Sequence, residues 1–254
     1  MGSEEEMEFQ HSRGYRMSVL LREPAEVRDP LLHVFFHGQL DRAAFVPPVY
    51  HRRNTSTRLG AVCLFVSDPV LYFDEDSSIG WYLLGDDEFW PVLARLTERI
   101  CADHGLRGVA WHGPSAGGYV AIRNCLRSDL PSLAFAVGPQ NDPTEFYFWK
   151  DFASIAAAER IDTVPVLAQL IRHKTPGPGK MISIIVSDRD YTHLKDHIHP
   201  VFVVSRALSM VELTILENGR GHGRVEEVDY WANFDRAQER FLGELKEHPL
   251  EYQN

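Results

Sequence analysis

The chain has 254 residues, 44% hydrophobic and 24% charged, enough for one well-packed core of the size common among single-domain α/β proteins. Its formal net charge of −10 argues against a nucleic-acid partner, which would need a basic field, and no apolar run approaches the ~18 residues that span a bilayer. Cys63, Cys101 and Cys125 are odd in number, widely spaced and set in apolar segments, so they read as reduced core thiols; with the acidic Glu4-Glu5-Glu6 start, which no apolar signal segment follows, the expected location is cytoplasmic.

Residues 1–12 are mostly polar and are expected to be disordered, leaving 13–254 as one domain. Residues 15–22 and 31–36 read as strands joined through the turn-forming Arg28-Asp29-Pro30. Leu31-Leu32-His33-Val34-Phe35-Phe36 is a nearly unbroken apolar run, which suits a central strand buried on both faces, and it ends in His37-Gly38-Gln39. Pro47-Pro48-Val49-Tyr50-His51-Arg52-Arg53 reads as a rigid, locally basic surface loop. Residues 59–66 give another apolar strand, closed by Ser67-Asp68-Pro69, and the mixed stretch 69–85 is anchored by Trp81-Tyr82-Leu83-Leu84. From Asp86 the pattern is helical. Phe89, Val92, Leu93, Leu96 and Ile100 recur at helix spacing, Asp86-Asp87-Glu88 place negative charge at the N-terminal end, and Gly105 stops the helix.

The next stretch, Trp111-His112-Gly113-Pro114-Ser115-Ala116-Gly117-Gly118-Tyr119, follows an apolar lead-in from Gly108 and precedes a helical pattern running to about Leu126. A serine in so tight a strand-to-helix turn is lifted above the sheet in strained backbone, and the flanking glycines remove Cβ atoms that would clash. By chance alone G-x-S-x-G arises in roughly 7% of chains of this length, so the rest of the sequence has to supply its partners.

A strand over 133–137 ends in Gly138-Pro139-Gln140-Asn141-Asp142. The region from about 141 to 179 has helical composition and reads as a small excursion over the site, closing in Pro176-Gly177-Pro178-Gly179. Its Phe146-Tyr147-Phe148-Trp149 run suits either a substrate-pocket cap or packing on the sheet. A strand over 181–186 ends in Ser187-Asp188-Arg189-Asp190, and a helix over about 192–208 and a strand over 211–216 follow. The loop Asn218-Gly219-Arg220-Gly221-His222-Gly223 leads into a final amphipathic helix over about 225–246. This alternation predicts a mostly parallel sheet with helices on both faces, and ligands bind such sheets beyond the carboxyl ends of the strands. Gly38, Ser115, Asp190 and His222 all fall there.

A serine hydroxyl is a weak nucleophile near neutral pH and needs a base, itself oriented by an acid. Elbow-type hydrolases present the three in the order serine, acid, histidine, and Ser115, Asp190 and His222 stand in that order. Asp190 is the first candidate acid and Asp188, at the strand end, the alternative. The Ala116 N–H at the helix start and the Gln39 N–H after the early strand are the candidate oxyanion donors. His193 and His197 have the H-x-x-x-H spacing of metal ligands, but no motif fixes a third ligand, so they read as helix surface or pocket lining; no metal and no cofactor is expected.

Together these residues resemble the α/β-hydrolase superfamily over most of the chain: the His37-Gly38 turn, the Gly113-x-Ser115-x-Gly117-Gly118 elbow, the Asp190 loop and the His222 loop fall in its order. More narrowly, Asp190-x-x-His193-x-x-x-His197-x-x-Pro200 and Trp81-Tyr82 look similar to hydrolase-like proteins of bacterial accessory-secretion and capsular-polysaccharide loci. That narrower resemblance implies action on acyl groups of glycans. No HGGG run follows the early strand and no large lid is evident, which favours a soluble esterase over an interfacial lipase. The expected activity is a serine esterase or deacylase working through a covalent acyl-enzyme. Its expected partner is a small-molecule acyl ester or an acylated glycan. An acyltransferase, a non-catalytic assembly protein and a metal hydrolase built on His193 and His197 are the competing readings.

Overall fold

The computed structural model describes residues 2–174, 179–205, 211–217, 221–222 and 225–247. The strands are β1 (Ser3–Gln10), β2 (Arg16–Glu23), β3 (Leu31–Phe36), β4 (Cys63–Val66), β5 (Gly108–Pro114), β6 (Ser132–Val137), β7 (Lys180–Ser187) and β8 (Val211–Leu216). They form one sheet in the order β1-β2-β4-β3-β5-β6-β7-β8. β1 and β2 run antiparallel to their neighbours, and every pairing from β4 to β8 is parallel.

The central parallel strands β3 to β6 are largely apolar and buried because both faces are covered, whereas the edge strand β8 is only half-buried and carries Glu212 and Thr214. Alternate residues serve two cores. Leu32, Val34 and Phe36 of β3 face a layer containing α2 (Asp86–His104) and α3 (Ala116–Arg127), after the short α1 (Val70–Phe73). That layer also receives α4 (Trp149–Ala158), α5 (Leu167–Lys174) and α6 (His199–Ser205). Leu31 and Phe35 face α7 (Glu227–Glu247), which buries Tyr230, Trp231, Phe234 and Phe241 against the other side. Among the described residues no helix is long and apolar enough to cross a membrane.

Several expectations change in detail. Residues 3–10 are not disordered but form β1, because Met7 and Phe9 alternate with glutamates at period two and pack on the core while Glu4, Glu5 and Glu6 stay exposed. The strand expected over 59–66 begins only at Cys63; Leu59 closes a 3₁₀ turn and Gly60 is left-handed at φ 60°. The helix expected over 192–208 starts as a π-helical turn, His193–Ile198, before α6, and 206–208 lie outside the described residues. So do 176–178 of the proline-glycine loop, 218–220 and Gly223. The excursion is helical, with α4 and α5 in it, and its Trp149 and Phe152 pack on the Trp81 ring.

Candidate active site

Ser115 stands between β5 and α3 with φ 53° and ψ −119°, a conformation that L residues adopt only under constraint. The constraint is visible at Gly113, where a Cβ would lie 2.2 Å from the Gly117 carbonyl carbon. No other residue fits so close a return of the chain, and the turn lifts the Ser115 side chain off the strand end.

Loops from two other strand ends reach its hydroxyl, and a third holds the carboxylate behind them. His222, after β8, places Nε2 3.0 Å from Ser115 Oγ and Nδ1 2.7 Å from Asp190 Oδ2, and Asp190 lies in the loop after β7. Burial works to raise the Asp190 carboxyl, but the hydrogen bond from His222 and the nearby His193 and His222 rings outweigh it and hold it below the usual carboxylate value. Asp188 stays at the sheet edge, its N–H donating to the Leu216 carbonyl at 2.9 Å. The carboxylate that meets His222 is therefore Asp190.

A fourth group, Gln140, comes from the loop after β6 and is fully buried. Its Nε2 lies 2.9 Å from Ser115 Oγ and 3.0 Å from His193 Nε2, while its Oε1 accepts the Trp81 indole N–H at 3.1 Å. His193 Nδ1 lies 3.6 Å from Asp190 Oδ1, and its ring stacks on that of His222 with centroids 3.7 Å apart. Burial, with His222 adding to it, pushes the His193 pKa down to about 3, so its ring is neutral at neutral pH. Phe146 closes the cluster with its ring 5.8 Å from that of His222 and 5.4 Å from that of His193.

On the opposite side, the loop after β3 abuts the elbow: a Cβ on Gly38 would lie 2.9 Å from the Pro114 carbonyl oxygen and 3.4 Å from Ser115 Cβ. Gln39 is the next residue, with Nε2 3.4 Å from Ser78 Oγ. His37 fixes this loop. Its N–H donates to Tyr82 Oη at 2.9 Å, its Nδ1–H to the Gly38 carbonyl at 2.7 Å, and its Nε2 accepts the Asp68 N–H at 3.0 Å. The accepting nitrogen requires a neutral ring, and burial lowers the His37 pKa to about 4. Asp68 in turn accepts from the N–H groups of Val70, Gly80 and Tyr82 at 3.0–3.1 Å. That carboxylate braces Trp81 and Tyr82, at φ 50° and 53°, and so aims the Trp81 indole at Gln140.

The fold as a whole is similar to that of several solved structures. An S-formylglutathione hydrolase from Agrobacterium tumefaciens superposes with a TM-score of 0.56 at 17% identity, covering 96% of this chain and 95% of the other. A capsule O-acetyltransferase of Neisseria meningitidis serogroup A gives 0.63 at 15% identity, covering 91% and 93%. A Pyrococcus furiosus esterase gives 0.58 at 15% identity, covering 96% and 92%. This chain has the α/β-hydrolase fold. No protein-family model matches its sequence, and comparison with curated proteins finds no significant similarity.

Within this hydrolase fold the strand-end loops carry Gln39, Ser115, Gln140, Asp190 and His222, the positions from which such a sheet presents its chemistry. Gln140 and His193 extend the set read from the sequence. Gln140 belongs to no motif, and its only sequence signal is its place just past a buried strand of a parallel sheet. His193 is noticeable in the sequence for its spacing to His197; the two rings lie 4.7 Å apart, and His197 Nδ1 accepts the Asn141 N–H at 3.4 Å. Asp190, His193 and His222 do bring ligand-type atoms within 4.8 Å of one another, as do His11, Asp87 and Glu88. In the first group His222 and Asp190 are already hydrogen-bonded to each other through Nδ1 and Oδ2 at 2.7 Å.

Proposed function

We propose that this protein is a serine hydrolase of the carboxylic-ester class, with Ser115 as nucleophile, His222 as general base and Asp190 as the group that orients it. The observation that carries the reading is the continuous chain Ser115 Oγ–His222 Nε2, 3.0 Å, and His222 Nδ1–Asp190 Oδ2, 2.7 Å, at the constrained strand-to-helix turn. In this reading Ser115 Oγ attacks the acyl carbonyl as its proton passes to His222 Nε2, and the imidazolium is stabilised by Asp190. The alkoxide of the tetrahedral intermediate is received by the N–H groups of Ala116 and Gln39. The proton returns to the leaving alcohol and an acyl-Ser115 ester remains, which water hydrolyses by the same steps.

The substrate proposed is a small soluble acyl ester, with an acylated glycan as the finer choice. The exposed ring of Tyr147, packed against the buried Phe146 that borders His222, supports a flat apolar group near Ser115. The test is covalent labelling with a fluorophosphonate probe, followed by a panel of short-chain esters and acetylated sugars. Wild-type protein is expected to label and Ser115→Ala to stay blank. Failure of folded wild-type protein to label would overturn the assignment.

A further inference from the structure

Four hydrogen bonds link the groups around Ser115, namely Ser115 to His222, His222 to Asp190, Gln140 to His193, and Gln140 back to Ser115, and a longer 3.6 Å approach of His193 Nδ1 to Asp190 Oδ1 completes the circuit. The direction of each bond follows from one group that has no choice. An indole nitrogen is a donor only, so Trp81 Nε1–H at 3.1 Å makes the Gln140 oxygen the acceptor and leaves the amide nitrogen facing Ser115 and His193. That NH₂ group has two hydrogens and two neighbours, at 2.9 and 3.0 Å. His193 Nε2 must then accept, so the proton of the neutral ring is on Nδ1, toward Asp190 Oδ1 at 3.6 Å. Ser115 Oγ also accepts from Gln140, which leaves the hydroxyl hydrogen one receiver, the Nε2 of His222 at 3.0 Å.

We propose that Gln140 is a further catalytic residue: its side-chain amide, locked in one orientation by Trp81, donates to the Ser115 Oγ and to His193, directing the serine proton to His222. Trp81 and His193 are positioning residues that act through it. The inference rests on Ser115 being the nucleophile. As Oγ loses its proton the same amide N–H meets growing negative charge, and a hydrogen bond to a charged acceptor is stronger than one to a hydroxyl. A flipped amide would turn its oxygen to Ser115, accept the hydroxyl hydrogen and draw it away from His222.

The test uses a fluorophosphonate, whose reaction forms the Oγ–P bond, expels fluoride and passes the serine proton to His222. Gln140→Met keeps length without donors, and Trp81→Phe keeps a buried aromatic ring while removing the indole N–H that holds the amide. Both are expected to lower the saturating labelling rate about ten-fold or more while the probe's half-saturation concentration changes little. Gln140→Glu is expected to lose most of its rate near neutral pH and to recover part of it as the carboxyl protonates, since the acid can again donate to Ser115; a merely structural residue would give no such acid limb. Unchanged rates in folded Gln140→Met and Trp81→Phe, or a Gln140→Glu profile parallel to wild type, would overturn the proposal. A measurement on wild-type protein needs no variant and no activity: ¹⁵N NMR of the imidazoles is expected to show His193 as the Nδ1–H tautomer. An Nε2–H tautomer overturns the proposal even in protein that labels normally, whereas wild-type protein that shows the Nδ1–H form but does not label overturns the serine-hydrolase reading instead.

Discussion

Replacing Asp190 by asparagine tests the acid against its sequence neighbour. Two histidine ring nitrogens converge on this carboxylate, His222 Nδ1 at 2.7 Å from one oxygen and His193 Nδ1, protonated in the proposed arrangement, at 3.6 Å from the other. Asparagine offers one carbonyl oxygen. If it faces His222, the amide N–H₂ is driven against His193 Nδ1–H, and His193 cannot move its proton to Nε2, because the Gln140 amide already donates there. If the oxygen faces His193, the amide donates to His222 Nδ1, the proton moves to Nε2, and the base can no longer accept from Ser115. Either orientation also removes the negative charge that stabilises the imidazolium. In triad enzymes the wrong tautomer costs about ten-thousand-fold in kcat, or ~5.5 kcal/mol of barrier. Asp190→Asn is therefore expected to lose about that factor in hydrolysis of a short-chain p-nitrophenyl ester, with folding checked by circular dichroism. Asp188→Asn is expected to lose less than ten-fold. An Asp190→Asn enzyme within ten-fold of wild type, or a larger loss at Asp188, would refute the arrangement.

Gly113→Ala is expected to destabilise the fold by about 3 kcal/mol in chemical denaturation and to abolish labelling, because its Cβ would lie 2.2 Å from the Gly117 carbonyl carbon; a stable, active variant would contradict the elbow geometry. Asp86 pairs with buried Arg123 at 2.9 Å and with Arg127 at 2.7 Å, so Asp86→Ala strands two guanidinium groups and should lower stability by about 3 kcal/mol or more, read from urea midpoints. Stability should also fall on acidification. The pKa of His37 drops from 6.5 to about 4 and that of His193 to about 3 on folding, so as pH falls below 6.5 the unfolded chain takes up protons the native state refuses. The stabilisation is complete above pH 6.5 and declines toward pH 4 at up to about 1.4 kcal/mol per pH unit for each histidine. A urea midpoint constant between pH 7 and pH 5 would argue that these rings are not held neutral.

The central sheet is legible in the sequence because parallel strands buried on both faces leave unbroken apolar runs, as at residues 31–36 and 133–137, and because turns too tight for a side chain leave glycines. The edge strand β1 is harder to read. Its alternation involves only Met7 and Phe9 among glutamates, and its order comes from pairing with β2 rather than from its own composition. The π-helical start at His193–Ile198 is illegible for a related reason: helical periodicity does not report a single widened turn. Of the site, the sequence carries the residue types and their order, but not which aspartate meets the histidine. Asp188 and Asp190 differ by two positions, and the turn after β7, closed by the Asp190 N–H to Ser187 carbonyl bond at 3.1 Å, decides which carboxylate turns inward.

In the proposed reaction, the hydrogen bonds around Ser115 also bear on what accepts the acyl group. His193 covers one face of the His222 imidazole at 3.7 Å, and Nδ1 is committed to Asp190. The base can work only in its own plane, through Nε2, which points at Ser115 Oγ. Whatever hydroxyl His222 deprotonates in the second half of the reaction, water or a larger alcohol, must therefore sit at the acyl-Ser115 ester itself. There it lies within reach of Gln140 on one side and of the Gly38–Gln39 loop on the other. Choice between hydrolysis and transfer is thus a matter of what these two loops admit beside Ser115, and residues that bear on it are better sought next to Gln39 and Gln140 than around the acid.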